Sequence, residues 1–286
     1  MFDSVIIVDW SAKATPSPER PSKDAIWIGI CRAGHRHSQY CRTRLAAEAV
    51  LINLLVQERA AGRRVLAGFD FPFGYPAGFA TRITGQANAR AVWAWLARHI
   101  TDDARNATNR LAVGGQMNAL FHPLQGPFWG RPATQVIPHL PFKKDVDYAA
   151  IGLSERRVIE THLRGAKPTF QLMGAGSVGS QALTGLPMIH RLRQRPGTAV
   201  WPFETIDGAS VVLAEVYPSI LAPVVARDPA PIKDEAQVRL LAHALWHVAA
   251  NGQFAPLLNV PDVAQEEGWI LGAGHAALLE QALTWP

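Results

Sequence analysis

Short runs of apolar residues, many of them β-branched, recur along the chain and predict the strands of a sheet. Runs of this kind, bounded by turn residues, are typical of buried strands. The dipeptide Ala33-Gly34 is a turn signal, so we expect His35 to Arg42 to return as the second strand of a hairpin. The other predicted strands are Ser4 to Asp9, Ala25 to Cys31, Arg64 to Asp70 and Ala209 to Tyr217.

Apolar residues at helical spacing predict helices between the strands. Gly62 and Gly252 directly follow two of these segments, as expected of C-terminal stops. From Phe71 to Trp201 the pattern is irregular and rich in Pro, Gly and aromatic residues, and we expect residues 101–142 to be largely loop. The predicted helices span Leu45 to Ala61, Ala87 to Ile100, Ser154 to Arg164, Lys233 to Asn251 and Ala273 to Leu283.

The order of these elements is typical of the RNase H-like fold: strand, hairpin, helix, strand, irregular segment, strand, helix. We therefore predict one α/β domain over residues 1–286, with a mixed five-stranded sheet and flanking helices. A large insertion of helices and loops at about residues 76–200 separates the fourth and fifth strands. In such a sheet the first strand lies centrally and pairs parallel to the fourth, so Asp9 and Asp70 should be neighbours.

Two carboxylates held this close repel each other unless a cation lies between them. A pair of Mg²⁺ or Mn²⁺ ions is the usual solution in phosphodiester cleavage, with one ion activating water and the other stabilising the leaving oxygen. We predict that Asp9, Asp70 and Asp234 bind the metal and that Glu215 is a further ligand or general base. Two alternatives stay open: Glu215 pairs with an arginine, or Asp234 is an ordinary acid in the first turn of a helix.

The segment from Met173 to Ser180 carries the spacing G-x-G-x-x-G, with glycines at 174, 176 and 179. A dinucleotide-binding loop needs a strand before it and a helix after it. Pro168 interrupts the first, and we expect Gly185 and Pro187 to prevent the second. We therefore predict either a phosphate-binding loop, formed by Gly174, Gly176, Ser177 and Gly179, or a tight turn that needs positive φ.

The overall composition is that of a globular protein with a modestly basic surface. The 286 residues carry a net charge of +5, which is compatible with nucleic acid or a phosphate-bearing small molecule as partner. The sequence has neither a run of about 18 apolar residues nor a basic signal-peptide start, so we expect no membrane association. The two cysteines are too few for a disulfide framework and predict reduced thiols in a cytoplasmic protein.

Several motifs resemble the domain-of-unknown-function 429 family, whose members are described as predicted RNase H-like nucleases. The similarity extends from Val5 to about Gly252 and implies an acidic site of Asp9, Asp70, Glu215 and Asp234. The late helix has Gln237 or Val238 where the family often carries a further aspartate. The motifs are VDWSA (8–12), GFDFPFGYP (68–76), GAGSVGSQ (174–181), WPFET (201–205) and EVYPS (215–219).

Two other functions fit the sequence. The first is an actin-like or sugar-kinase-like enzyme that transfers a phosphoryl group, although the loop after the first strand, Trp10 to Lys13, lacks glycine. The second is a non-catalytic protein that binds a ligand or partner through the insertion and keeps a remnant acidic site. The sequence leaves the substrate and the oligomeric state open.

Overall fold

A mixed six-stranded sheet with flanking helices forms the centre of the molecule, as seen in a computed structural model that describes residues 2–163, 165–174 and 176–285. This architecture confirms the α/β class and the mixed sheet. The strands lie in the order β3-β2-β1-β4-β6-β5. Their bounds are β1 Ser4–Asp9, β2 Ile26–Arg32, β3 His35–Cys41, β4 Val65–Phe69, β5 Thr198–Val200 and β6 Val211–Glu215.

The pairing directions place three strand ends together. Strand β1 is antiparallel to β2 and parallel to β4, and β4 is parallel to β6. Strand β3 pairs antiparallel with β2, as the predicted hairpin requires. Because β1, β4 and β6 run in the same direction, their carboxyl ends meet at one edge of the sheet.

The prediction of five strands is wrong by one. The additional strand, β5, lies inside the segment interpreted as an insertion, and it pairs parallel with β6 from Thr198 opposite Val211 to Val200 opposite Leu213. A strand of three residues is too short to produce an alternating pattern in the sequence. Its position is set by its pairing with the buried strand β6.

The helices predicted around positions 45–61, 87–100, 233–251 and 273–283 are present within a few residues of the expected bounds. The one predicted at 154–164 is shorter, and Arg164 lies outside the described residues. Two short 3₁₀ helices occupy Pro218–Leu221 and Ala255–Leu258. The α-helices are α1 Arg44–Ala60, α2 Phe79–Thr84, α3 Ala89–His99, α4 Arg110–Ala119, α5 Val158–His162, α6 Gly179–Arg193, α7 Ala222–Val225, α8 Lys233–Ala250, α9 Ala264–Glu267 and α10 Ala276–Ala282.

The expectation that Gly185 and Pro187 prevent a helix is wrong, because both lie inside α6. In a helix interior, glycine costs about 1 kcal/mol and proline about 3 kcal/mol relative to alanine. Burial of each large apolar side chain returns about 1.5–3 kcal/mol, and α6 buries several, including Leu183 and Ile189. Gly185 is also needed for packing, since an added Cβ would lie 2.3 Å from Cζ of Phe71.

Helix α4 is a second difference, since its ten residues fall in the segment expected to be loop. The central Gly114-Gly115 weakens the helical pattern. Both glycines are required by close approach: an added Cβ would lie 2.7 Å from a methyl carbon of Leu172 at Gly114, and 2.2 Å from the carbonyl oxygen of Pro138 at Gly115. Tertiary packing therefore overrides the local preference.

The sheet is covered on both faces. One face packs with Val8 and Phe69 into a core that includes α1, α3 and α6. The other face packs with Ile7 and Leu66 against α8 and α10. Helix α8 approaches β2 closely at Gly29, where an added Cβ would lie 2.4 Å from the backbone of Val238, and this contact fixes the start of α8 near the carboxyl end of β1.

Candidate active site

Asp9 and Asp70 lie side by side at the carboxyl ends of β1 and β4. The strands pair with Val8 opposite Phe69, so the next residue of each chain segment is an aspartate. The amide of Asp70 donates to the carbonyl of Val8 at 3.1 Å, and the amide of Trp10 donates to Oδ1 of Asp70 at 2.7 Å. The two carboxyl groups are close enough to act on each other's pKa. The structure thus brings this predicted pair together.

The surroundings of this pair disfavour two negative charges. Burial, followed by the charges of Asp70 and Asp234, raises the pKa of Asp9 well above its ordinary value. Burial also raises the pKa of Asp70, although hydrogen bonds from Trp10 and Asp9 oppose that effect. Among the described residues no lysine or arginine forms an ion pair with either aspartate. The pair therefore shares a proton or requires an external cation.

Asp234 and Asp24 add two further carboxylates to the same cavity. Asp234 lies in the first turn of α8, and its Oδ2 accepts a hydrogen bond from the amide of Asp24 at 2.6 Å. Asp24 precedes β2 with a left-handed backbone (φ 54°), and its charge also acts on Asp9. Asp24 was not predicted, since nothing in the polar loop before β2 distinguishes it from a solvated acid.

The cavity has a volume of about 540 Å³, and the glycine-rich segment forms part of its wall. Gly174, Gly176 and Ser177 line it, with left-handed φ angles of 120° and 69° at the two glycines. Gly179 does not line it; its amide starts α6 and donates to the carbonyl of Gln171 at 3.1 Å. Ala175 lies outside the described residues. The predicted loop therefore borders the acidic site, with three of its four named residues.

Glu215 lies elsewhere, in a buried ion pair. Its Oε1 and Oε2 accept hydrogen bonds from the guanidinium of Arg157 at 2.6 and 2.7 Å, and Oε2 also accepts from the amide of Phe73 at 3.0 Å. Arg157 is held in turn by Glu160 at 2.8 Å. Glu215 does not line the cavity, and both of its carboxylate oxygens accept hydrogen bonds. Its surroundings are those of the alternative in which Glu215 pairs with an arginine.

The register of the sheet explains this separation. Glu215 pairs with Phe69, whereas Asp70 is one residue further along. Successive side chains of a strand point to opposite faces, so a shift of one residue changes the face. Asp9 and Asp70 follow the alternation toward the α8 face, where Asp234 lies. Glu215 points to the opposite face, where Arg157 enters from the segment between β4 and β5.

A second arginine holds the loop that follows β1. Arg44, at the start of α1, is buried and pairs with Asp102. Its Nη1 also donates to the carbonyls of Ser11 at 3.0 Å and Lys13 at 2.7 Å. On the other side, the side-chain amide of Gln181 donates to the carbonyl of Trp10. These contacts fix the backbone beside Asp9 and leave the exposed Lys13 side chain at the cavity.

The donor set of the acidic cluster suits a hard cation. It offers oxygen ligands only, and the adjacent carboxyl pair needs a positive charge to ionise fully. In the described part of the chain, no group of three or more His, Cys, Asp or Glu side chains is arranged to hold a metal ion. Mg²⁺ is commonly bound by one or two carboxylates and keeps several waters. Asp9 and Asp70 fit that mode, and Asp234 lines the same cavity.

Comparisons with known proteins give no match that bears on this site. No family model, no curated protein and no solved structure matches the chain. Among the described residues, none of the helices is both long enough and apolar enough to span a membrane.

Proposed function

We propose that this chain is a metal-dependent phosphodiesterase on an RNase H-like scaffold, with nucleic acid as its substrate class. The observation that carries the proposal is the Asp9–Asp70 pair, which lies at the ends of two adjacent parallel strands and faces a cavity bordered by a glycine-rich loop. Central β1, antiparallel β2 and parallel β4 support the scaffold assignment.

In this proposal Asp9 and Asp70 hold Mg²⁺ or Mn²⁺. When bound, such an ion polarises the phosphoryl oxygen and increases the acidity of a water molecule. Oδ2 of Asp234 is engaged by the amide of Asp24, whereas its Oδ1 has no hydrogen-bond partner in the described residues. That oxygen can orient a water molecule and accept its proton. Because the carboxylate of Glu215 is committed to Arg157, we assign it no part in the reaction.

The buried thiols support the proposed cytoplasmic location. Cys31 and Cys41 are both free and buried. Burial raises the pKa of each thiol to about 11, so both are protonated and unreactive at neutral pH. Free thiols of this kind are compatible with a reducing compartment.

The proposal is tested with single-stranded DNA, duplex DNA, RNA and RNA–DNA hybrids in Mg²⁺ or Mn²⁺. Asp9→Asn and Asp70→Asn remove one charge each with little change of volume. We expect cleavage of at least one substrate by the wild type and a loss of at least about 100-fold in both variants, since metal ions contribute several kcal/mol to such reactions. The matched control is Asp207→Asn, at an exposed residue with no ion pair among those described.

Full activity in Asp70→Asn would overturn the assignment of the site. Hydrolysis of ATP with Mg²⁺, and no cleavage of any nucleic acid, would instead favour the kinase-like alternative. Absence of every activity together with absence of metal binding would favour the non-catalytic alternative.

A further inference from the structure

Arg110 places a positive charge on the cavity wall. It is the first residue of α4 and lines the cavity beside the glycine-rich loop. Its Nε donates to Oγ of Ser180 at 3.0 Å, and Ser180 Oγ donates to the carbonyl of Leu172 at 2.7 Å. The two terminal nitrogens of the guanidinium have no hydrogen-bond or ion-pair partner within the described ranges. The guanidinium is therefore held through Nε, and its terminal nitrogens are left to bind a ligand in the cavity that Arg110 lines.

Among the described residues Arg110, which is half-buried, has no counter-ion, and this distinguishes it from the fully buried Arg44 and Arg157. Arg44 and Arg157 are each paired with carboxylates. The charge of Asp102 acts on the pKa of Arg110, but Oδ1 of Asp102 already accepts a hydrogen bond from Arg44 at 2.6 Å. Burial, followed by the charge of Arg44, lowers the pKa of Arg110. An arginine remains protonated even so, and a partly desolvated charge without a partner is costly.

The cavity has two walls of opposite character. The aspartate pair and Asp234 form the acidic wall. Arg110, Gly176 and Ser177 border the other, together with the first turn of α6, whose dipole favours negative charge. In the described part of the chain no salt bridge joins Arg110 to Asp9 or Asp70, so the acidic pair does not neutralise the guanidinium. A ligand that contacts both walls would place an anionic group at the wall with Arg110 and would approach a cation held at the acidic wall.

We propose that Arg110 and the hydroxyl of Ser177, which line the same cavity, form an anion subsite that binds a phosphate group of the substrate. The planar fork of arginine matches two phosphate oxygens, and such bidentate contacts are among the stronger hydrogen bonds in proteins. This inference rests on the proposed function for the identity of the reaction. The anion subsite itself requires no metal, and it would hold the phosphate of a mononucleotide or of a nucleic-acid backbone.

The test is calorimetric titration of the full-length protein in EDTA with inorganic phosphate, thymidine 5′-monophosphate and an eight-nucleotide oligothymidylate. We expect the wild type to bind phosphate groups, and Arg110→Gln to bind them at least tenfold more weakly. Arg110→Lys keeps the charge and loses the fork, so its affinity should lie between the two. Arg105→Gln is the matched control, because Arg105 is exposed and forms no ion pair within the described residues. Tighter binding of the oligonucleotide than of the mononucleotide would identify the backbone as the ligand.

A structural role for Arg110 predicts a different result. If Arg110 served only to hold Ser180, its replacement by Gln would lower the thermal midpoint. The anion subsite predicts an unchanged or higher midpoint, because an uncompensated charge is removed. Equal phosphate binding by Arg110→Gln and the wild type would overturn the inference. So would no binding by the wild type at 10 mM phosphate, since a Kd of that size corresponds to a binding free energy of only about 2.7 kcal/mol in magnitude. Asp70→Asn should keep phosphate binding in EDTA, so failure of the metal site and failure of this subsite are distinguished.

Discussion

Replacing Glu215 by Gln separates a structural role from a catalytic one. In the structure its carboxylate accepts two hydrogen bonds from Arg157 and one from the amide of Phe73, and all of these groups are buried. The substitution keeps the volume and removes the charge that faces Arg157. We therefore expect Glu215→Gln to lower the stability of the fold before it affects any chemistry.

The magnitude follows from the remaining partners. Removing one member of a buried ion pair costs about 3–5 kcal/mol when the other charge is left uncompensated. Arg157 keeps Glu160 at 2.8 Å, which places the expected cost near the lower end, at about 3 kcal/mol. A domain of ordinary stability has about 5–15 kcal/mol in total, so the change is a large fraction of it.

Urea unfolding followed by circular dichroism measures this cost. The matched control is Glu48→Gln, which removes a carboxylate from an ion pair whose arginine, Arg191, is half exposed. Exposed pairs contribute about 0–1 kcal/mol, so the control should change little. The double variant Arg157→Met/Glu215→Leu should be less destabilised than the sum of its single variants, because the pair is removed as a unit. A Glu215→Gln protein with wild-type stability and no catalytic turnover would contradict a structural role for Glu215.

Two further predictions concern the packing and the acid stability of the fold. Gly185→Ala should destabilise the protein in urea unfolding, because the new Cβ would lie 2.3 Å from the fully buried ring of Phe71. The same change in an ordinary helix stabilises it by about 1 kcal/mol. A stabilised variant would contradict the packing of α6. Burial alone would raise the pKa of Glu58, but hydrogen bonds from Arg63 and Ser4 and the charge of Arg32 hold it below its ordinary value. The stability that ionised Glu58 provides is present above the unfolded-state pKa and is lost as pH falls through the lower folded-state pKa. Urea midpoints measured from pH 6 to pH 3 should therefore fall less steeply in Glu58→Gln than in the wild type. Equal pH profiles of the two proteins would contradict this.

The acidic pair was predictable because it depends on local signals and one rule of topology. Asp9 and Asp70 end apolar runs, and the element order predicts that these strands are parallel neighbours. The placement of Asp234 near them follows from the start of α8, which the sequence marks by Lys233-Asp-Glu. These three residues line one cavity in the structure.

The remaining parts of the site depend on packing that leaves no periodic pattern. The direction of Glu215 is decided by a register shift of one residue relative to Asp70. Helix α4 carries Arg110, and it was missed because Gly114 and Gly115 weaken its pattern while serving close contacts with other segments. Asp24 reaches the cavity through a left-handed turn that a single sequence does not reveal.

A cation site between Asp9 and Asp70 is tested by calorimetric titration of Mn²⁺ into the wild type, Asp70→Asn and the control Asp207→Asn. We expect the wild type and the control to bind Mn²⁺ and Asp70→Asn to lose that binding, because removal of one carboxylate leaves Asp9 without its partner. Equal binding by all three proteins would contradict a cation site between the ends of β1 and β4, and so would no binding by the wild type.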